Sequence, residues 1–224
     1  MLKPKTKYII GIDEVGRGPL AGPVVVAAVA VPIKLKIQNT ELRTTKLAPL
    51  RDSKKLSSKQ REAWFDYIKE SQKSKAKSQR LYYAIASVSP KVIDRINISK
   101  AANLAATRAF QKLVNSYAIA SVLTKNNNVN VKIFLDGGLY LKKLQTTNYK
   151  LKTKTIIRGD EKIPAIALAS IVAKVTRDRT MKKLHKKYPQ YGFDKHKGYG
   201  TKKHFKAIKK YRPSPIHRKS FKIK

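Results

Sequence analysis

The chain has 224 residues, of which 42% are hydrophobic, enough to bury a substantial core in one large domain or in one domain with an appendage. Its 51 Lys and Arg residues far outnumber its 13 Asp and Glu residues, and the formal net charge is +38. This excess favours an anionic partner, nucleic acid above all, although an AT-biased genome would also load the surface with lysine and raise the charge. Charge alone distinguishes neither an enzyme from a binder nor DNA from RNA.

Cysteine is absent from the sequence, which excludes disulfides and thiolate metal sites. The longest apolar stretch, over residues 20–33, is interrupted by Gly22, Pro23 and Pro32 and is too short to cross a bilayer. The basic start of the chain is soon followed by an Asp-Glu pair, where a signal peptide would still be apolar. We therefore expect a globular, cytoplasmic protein with no membrane segment.

Strands dominate the beginning of the predicted structure. Apolar runs over 8–12 and 24–31 predict two strands joined by a turn rich in glycine and proline. Acidic residues stand between the first strand and this turn. The tetrapeptide SSKQ at 57–60 matches a capping box and predicts a helix over about 58–71. A third strand is predicted over 81–88.

The rest of the chain predicts mainly helices. The biased segment 69–80 is interpreted as a solvated face or loop, and the asparagines at 126–128 mark another loop. The predicted elements after the third strand are a short helix opened by Ser89 and Pro90, an alanine-rich helix capped by Ser99 and reaching about Tyr117, strands over 131–135 and 154–157, a helix from Pro164 to about Leu184, and a helix over 201–211. This order predicts an α/β fold in which helices cover a mixed sheet.

Acidic residues stand at the ends of two predicted strands. Asp13 and Glu14 end the first strand, and Asp136 ends the apolar run before Gly137 and Gly138. An adjacent acidic pair is often only a surface feature. Carboxylates from neighbouring strands, however, would meet at one edge of the sheet, where a bound cation would neutralise them. Oxygen ligands are those that Mg²⁺ and Mn²⁺ prefer.

Asp160 offers a fourth carboxylate, from the turn after the fifth predicted strand, although a helix cap or a solvent-exposed position would also explain it. Four carboxylates that hold two cations about 3.5–4 Å apart allow water to attack a phosphodiester in line while the leaving oxygen is stabilised. The acidic residues therefore predict metal-dependent phosphodiester hydrolysis.

Several short motifs follow one another along most of the chain. They are GIDEVGRGPLAGPV (11–24), DSKKLS (52–57), LDGG (135–138), RGD (158–160), ASIVAKVTRD (169–178), YGF (191–193), HKGYGT (196–201) and PIHRKSF (215–221). Each motif alone has little specificity. The ordered set resembles the type 2 ribonucleases H, and the bacterial-style ribonuclease HII family in particular.

The resemblance implies a ribonuclease H-like fold, with a central mixed sheet of about five strands and helices on both faces. It also implies a catalytic domain over 1–190 and a small helical, substrate-contacting appendage over 191–224. The catalytic and metal-binding carboxylates, for Mg²⁺ or Mn²⁺, would be Asp13, Glu14, Asp136 and Asp160. Asp178 also belongs to the matched pattern, but Lys174 and Lys182 lie four residues to either side, so a helical ion pair is expected there.

The resemblance also assigns substrate contacts. Gly16, Arg17 and Gly18 would form the turn that recognises the ribonucleotide, because glycine lets the backbone approach the 2′-OH; a tight hairpin turn would also explain the glycines. Tyr199 would stack against the sugar beside the cut, where sequence alone indicates only a loop aromatic. Candidate phosphate contacts, with Lys54 first among them, are Ser53, Lys54, Lys55, Ser170 and Lys174.

The sequence departs from the family pattern at a few places. Arg51 replaces a small polar residue, Arg158 replaces a lysine, and the segment between Asp136 and Asp160 is several residues longer than is typical in bacteria. None of these departures changes a predicted metal ligand. Three histidines without metal-ligand spacing receive no catalytic role: His196, His204 and His217.

The implied activity is endonucleolytic. A family member hydrolyses the RNA strand of RNA/DNA hybrids and cuts on the 5′ side of ribonucleotides embedded in duplex DNA, leaving 5′-phosphate and 3′-hydroxyl ends. It would serve ribonucleotide excision, DNA replication and repair, and we expect it to act as a monomer.

Three other kinds of protein share parts of this pattern. The type 3 relative carries an additional amino-terminal domain, for which there is no room before residue 11. A catalytically silent binder of hybrids or RNA would gain nothing from four carboxylates facing phosphate. A transposase or resolvase of similar fold would leave the turn at 16–18 and Tyr199 unexplained.

Overall fold

A mixed sheet forms the centre of the protein in a computed structural model that describes residues 8–33, 35, 47–50, 52–76, 79–116, 131–142 and 153–222. Within these residues the sheet has five strands in the spatial order β3-β2-β1-β4-β5. The antiparallel pairs are β1 with β2 and β2 with β3, whereas β4 runs parallel to both β1 and β5. The strands are β1 (Tyr8–Val15), β2 (Val24–Pro32), β3 (Tyr82–Val88), β4 (Val131–Asp136) and β5 (Thr153–Ile156).

Helices cover both faces of this sheet, as the sequence predicts for an α/β fold. The described helices are α1 (Ser58–Ser71), α2 (Pro90–Ile96), α3 (Ile98–Val114), α4 (Gly159–Lys162), α5 (Pro164–Lys187), α6 (Phe193–His196) and α7 (Lys202–Tyr211). Short 3₁₀ turns occupy Ser53–Lys55 and Pro189–Tyr191. None of the helices in the described part of the chain has the length and apolar composition that a bilayer crossing requires.

The alternation of side chains along β2 separates two cores. Val26 and Ala28 face α3, whose inner surface is made of small alanines and Phe110. Ala27 and Val29 point the other way, towards α5 and the aromatic residues of α1. Because both faces of β2 are covered, all nine of its residues are buried, which explains why its sequence is continuously apolar instead of alternating.

The carboxyl-terminal part of the chain packs as a third, smaller core. Tyr191, Phe193 and Ile208 meet Met181 of α5 and Leu20 of the β1–β2 loop. This packing places the carboxyl-terminal residues against the end of the sheet where β1 finishes and β2 begins. The domain boundary at residue 190 stays a prediction.

Most of the predicted elements are confirmed to within a few residues. The capping box is formed at the start of α1: the N–H of Gln60 donates to the Ser57 hydroxyl at 3.2 Å, and the N–H of Ser57 donates to the Gln60 side chain at 2.8 Å. Thr201 likewise caps α7. The first strand is longer than predicted and ends at Val15. Lys73 and Lys75 are exposed, as a solvated segment requires.

The predicted cap of the alanine-rich helix was wrong. Asn97, not Ser99, precedes α3, and its side chain accepts a hydrogen bond from the N–H of Lys100 at 2.9 Å. Asn97 has φ of 66° and ψ of 164°, a strained conformation for a residue with a side chain, and this lets the chain turn directly from α2 into α3. The end predicted near Tyr117 and the loop at 126–128 lie outside the described residues.

Gly11 makes the close approach of α5 to β1 possible. A Cβ atom at Gly11 would lie 2.1 Å from the carbonyl carbon of Ala165. We expect Gly11→Ala to lower the free energy of unfolding by about 2–3 kcal/mol, because the helix backbone must shift to relieve the overlap. Urea denaturation measures this loss.

The matched control is Gly137→Ala, since the nearest atom to a Cβ there is 3.5 Å away, an ordinary contact. This control is expected to change stability by less than about 1 kcal/mol. Equal losses in the two variants would contradict the assigned role of Gly11.

Candidate active site

Three carboxylates meet at one edge of the sheet. Asp13 and Glu14 lie near the end of β1, and Asp136 is the last residue of β4. The two strands are parallel neighbours in which Ile12 pairs with Leu135, so their carboxyl ends coincide. One oxygen from each of the three acids lies within 4.8 Å of the others. The structure thus brings together three of the four predicted metal ligands.

Neighbouring donors hold these carboxylates in place. The Asp13 carboxylate accepts from the N–H of Glu14 at 2.7 Å, and Glu14 accepts from the Arg17 guanidinium at 3.1 Å. Asp136 accepts from the N–H of Gly159 at 2.8 Å, which ties β4 to the start of α4. Two of the three acids are therefore oriented by residues that follow β1 and β5.

Burial and mutual repulsion make the cluster electrostatically unfavourable without a cation. Burial raises the pKa of Asp13 well above its usual range, and the negative charges of Glu14 and Asp136 raise it further. Burial also raises the pKa of Glu14, although Arg17 opposes this shift. The Oε2 atom of Glu14 is buried and has no hydrogen-bond partner among the described residues. An unpartnered oxygen among clustered carboxylates fits a hard divalent cation such as Mg²⁺ or Mn²⁺.

Asp160, the fourth predicted ligand, lies on α4 and is not one of the three acids whose oxygens approach within 4.8 Å. Burial raises the pKa of Asp160, and the negative charges of the nearby Asp52 and Asp136 raise it further. Asp52 was not predicted as a site residue. It is buried and accepts from the N–H of Lys54 at 2.8 Å. Its place at the start of the DSKKLS motif, directly before the predicted contact Ser53, was the signal in the sequence.

The turn at 16–18 and Tyr199 are separated by about 180 residues of sequence but adjoin each other in the structure. Gly18 is exposed, and a Cβ atom there would lie 3.8 Å from the Tyr199 ring. Tyr199 itself is 45% exposed. Gly16 has φ of 95°, where a side chain would be strained. A glycine turn and an exposed aromatic ring therefore border the same space, and Arg17 of that turn pairs with Glu14 of the carboxylate cluster.

The predicted phosphate contacts have mixed environments. Ser53 and Ser170 are buried, and their hydroxyl oxygens lie 2.8 Å apart, so they join the 3₁₀ turn to α5. The Ser170 hydroxyl also opposes the rise that burial causes in the pKa of Asp13. Lys54 is exposed near Asp160, where its charge opposes the rise in the pKa of that acid. The phosphate-binding roles of these residues stay predictions.

A basic pocket of about 230 Å³ opens along α5, one helical turn beyond Ser170. The expected ion pair is confirmed here, since Lys174 Nζ lies 2.6 Å from Asp178 Oδ1. Burial lowers the pKa of Lys197, and the nearby charges of Lys174 and Lys182 act in the same direction. The cations that line the pocket are Arg61, Lys174, Lys182, Lys195 and Lys197.

His196, His204 and His217 form a histidine cluster that the sequence did not predict. The N–H of Ser214 donates to His217 Nδ1 at 2.9 Å, so the proton of a neutral His217 resides on Nε2 and faces His204 Nε2 at 3.0 Å. His204 Nδ1 then donates to the carbonyl of Tyr199 at 2.9 Å. His196 stacks on His204 with ring centroids 4.4 Å apart. Neutral histidines thus hold the backbone that carries Tyr199.

The sheet order, the flanking helices and the acids at the ends of β1 and β4 define a ribonuclease H-like protein of the α/β class. A family model described as Ribonuclease HII matches residues 10–224. The chain therefore belongs to the ribonuclease HII family, and it is a ribonuclease H enzyme. The resemblance seen in the ordered motifs is confirmed, and the type 3 alternative is not supported.

Individual relatives agree with this membership. Ribonuclease HII of Ruminiclostridium cellulolyticum is 43% identical over 214 residues, which cover 96% of this chain and 69% of the relative. Ribonuclease HII of Chlorobium chlorochromatii is 42% identical, with 97% of this chain and 91% of the relative covered. The crystal structure of ribonuclease H2 from Pyrococcus horikoshii superposes with a TM-score of 0.62 at 26% identity, covering 96% of this chain and 94% of that one.

The histidine cluster predicts that acid lowers the stability of the fold. Burial lowers the pKa of His204 to about 4, below the value of about 6.5 expected in the unfolded chain. Between pH 6.5 and 4, His204 is therefore protonated in the unfolded chain but neutral in the native protein. The free energy of unfolding falls as the pH is lowered through this range. The loss should reach up to about 1.4 kcal/mol per pH unit for this one group. Urea denaturation at pH 7.5, 6.0 and 5.0 measures it.

The comparison variant is His204→Gln, whose amide has both a donor and an acceptor but does not titrate. We expect a shallower dependence of its stability on pH. A slope equal to that of the natural chain would show that His204 is not the group responsible.

Proposed function

We propose that this ribonuclease H hydrolyses the RNA strand of RNA/DNA hybrids and cuts on the 5′ side of ribonucleotides embedded in duplex DNA, leaving 5′-phosphate and 3′-hydroxyl ends. The observation that carries this proposal is the cluster of Asp13, Glu14 and Asp136 beside the Gly18 and Tyr199 surface. It joins the acids needed for phosphodiester hydrolysis to groups suited to contact a sugar. In the cell the enzyme would act as a monomer in the cytoplasm, in ribonucleotide excision, DNA replication and repair.

Asp13, Glu14 and Asp136, with Asp160 from α4, would hold two Mg²⁺ or Mn²⁺ ions. When bound, such ions activate the attacking water and stabilise the leaving oxygen. The protein contributes orientation: Arg17 fixes one oxygen of Glu14, and Gly159 fixes one oxygen of Asp136. The remaining oxygens are free to face the cations and the scissile phosphate.

Ribose recognition would depend on the space between Gly18 and Tyr199. The 2′-OH is the group that distinguishes RNA from DNA, and it both donates and accepts hydrogen bonds. An exposed glycine lets a sugar approach the backbone closely, and the half-exposed ring of Tyr199 offers a flat surface beside it. Because Tyr199 belongs to the part of the chain after residue 190, this part would act as the substrate-contacting appendage.

The phosphates flanking the cut would lie along α5. Ser170, Lys174 and Lys182 follow one another at four- and eight-residue spacings, so they lie on one face of the helix. A rise of about 1.5 Å per residue places Lys182 roughly 18 Å along the axis from Ser170. A strand that continued from the carboxylate cluster along α5 would therefore bring its phosphates to the basic pocket.

The main test uses Asp13→Asn. Three duplexes are incubated with the protein and Mg²⁺, Mn²⁺ or chelator: one with a single ribonucleotide, one RNA/DNA hybrid and one of DNA alone. The natural chain should cut only where ribose is present and metal is free, and the variant should lose at least about a thousandfold in rate, because one metal ligand is gone. Binding should persist.

The stability of Asp13→Asn separates loss of a ligand from loss of the fold. Since the substitution removes one of three clustered like charges, we expect the metal-free variant to melt at or above the temperature of the natural chain. Cutting of all-DNA duplex by the natural chain at the same rate would contradict ribose recognition. Retained incision by the variant would contradict the metal site.

The second test concerns the basic pocket. Lys182→Gln should weaken binding of the RNA/DNA hybrid and reduce the slope of log affinity against log salt by about one, because one phosphate contact is lost. Filter binding at several salt concentrations measures both quantities.

Lys112→Gln is the matched control, since Lys112 is also an exposed helical lysine but lies on α3, on the opposite face of the sheet. Its salt slope should equal that of the natural chain. If the two variants behave alike, the pocket has no special part in binding.

A further inference from the structure

The loop over residues 16–23, between β1 and β2, has many of its carbonyl oxygens turned into the protein. Two arginines that are distant in sequence meet them. Arg218 donates to the carbonyl oxygens of Gly16 at 2.6 Å, of Arg17 at 2.8 Å, and of Gly22 at 2.9 and 3.1 Å. A single guanidinium therefore gathers three carbonyls of this loop.

Arg177 supports the other end of the same loop. From α5 it donates to the carbonyl oxygens of Ala21 at 3.1 Å and Pro23 at 2.9 Å, and also to that of Lys197 at 3.0 Å. The two arginines thus share the loop. Of the two, Arg218 alone donates to carbonyls of the glycine turn, whereas both donate to the end of the loop, Arg218 at Gly22 and Arg177 at Ala21 and Pro23.

Both arginines are fully buried, and neither takes part in an ion pair within the described part of the chain. Burial lowers the pKa of Arg218 to about 9 and that of Arg177 to about 10. A buried charge without a carboxylate partner is costly, and an apolar side chain would fill the same volume at lower cost. The carbonyl contacts are what an arginine adds at these positions.

The orientation of the turn follows from the planarity of the peptide group. The structure has no cis peptide bonds among its described residues, so each N–H points opposite to the C=O of the same peptide. Since Arg218 takes the carbonyls of Gly16 and Arg17, the N–H groups of Arg17 and Gly18 are directed away from it. Gly18 is exposed beside Tyr199, so these donors face the outer side of the turn.

The segment that carries Arg218 is fixed on both sides. The N–H of Arg218 donates to the carbonyl of Leu20 at 2.8 Å. Asp94 of α2 accepts from the N–H groups of Lys219 at 3.0 Å and Ser220 at 2.9 Å. The position of the guanidinium is therefore set by the loop on one side and by α2 on the other.

We propose that Arg218 is the positioning residue for ribose recognition: by gathering the carbonyls of Gly16 and Arg17 it aims the N–H groups of Arg17 and Gly18 at the sugar of the substrate. It acts through the turn and does not touch the substrate. The charged donor also polarises both peptides, which makes their N–H groups stronger donors. This role rests on the proposed function, because it presupposes that the turn contacts ribose.

The experiment uses Arg218→Lys, which keeps the charge but loses the planar fork of donors. Two quantities are measured: the ratio of affinities for a duplex with one ribonucleotide and for an all-DNA duplex, in the Asp13→Asn background, and kcat/KM for incision with Asp13 intact. We expect the affinity ratio to fall roughly five- to tenfold, since an oriented hydrogen bond to the 2′-OH is lost. A merely structural role would lower the melting temperature and leave the ratio unchanged.

Arg177→Lys is the matched control, because Arg177 is equally buried and donates to carbonyls of the same loop, but packs against Gly16 without donating to its carbonyl. Its melting temperature should fall similarly, while its affinity ratio stays within about twofold of the natural value. Arg218→Gln removes the buried charge and serves as a second variant if Arg218→Lys does not fold. It should show the same reduced ratio.

An unchanged ratio in a folded Arg218 variant, or an equal fall in Arg177→Lys, would overturn the positioning role and leave the proposed function intact. If instead the natural chain itself fails to prefer the ribonucleotide duplex, the proposed function is what fails. Failure of the inference and failure of the function are therefore separable.

Discussion

Repulsion among three clustered carboxylates, one buried and two partly buried, is the constraint around which the rest of the structure is arranged. Asp13, Glu14 and Asp136 are brought together because β1 and β4 run parallel and end at the same edge. A fold selected only for stability would not place like charges where burial raises the pKa of Asp13 so far. The arrangement becomes favourable once divalent cations neutralise it, and this makes the acidic edge a functional feature at the expense of stability in the metal-free state.

A second kind of organisation surrounds this edge. The loop after β1 and the backbone that carries Tyr199 have no regular structure of their own, yet their carbonyls are occupied by buried side chains. Arg218 and Arg177 hold the loop, and His204 holds the carbonyl of Tyr199. Irregular backbone can be buried only if its polar groups find partners. In this protein the partners come from α5 and from the carboxyl-terminal part of the chain, so the recognition surface depends on contacts between distant segments.

Local signals explain which features of the sequence were interpreted correctly. The capping box at Ser57 and Gln60 is made by residues three apart, and α1 has the predicted bounds. The cap of α3 was missed because Asn97 adopts a strained positive-φ conformation that only the tight connection to α2 requires. Asp52 was missed as a neighbour of Asp160 because nothing in its local sequence indicates which helix will approach it.

The sequence by itself determined the α/β class, the family, and the acids at the ends of β1 and β4, because apolar periodicity, turn residues and ordered motifs are local properties of the chain. Only the tertiary structure decided which residues became neighbours across long separations. It joined Ser53 to Ser170, brought the three histidines together, set Gly18 beside Tyr199 and buried two arginines under the loop. Those contacts depend on how helices and strands pack against one another. Packing is a property of the whole chain, and the sequence of a single segment does not specify it.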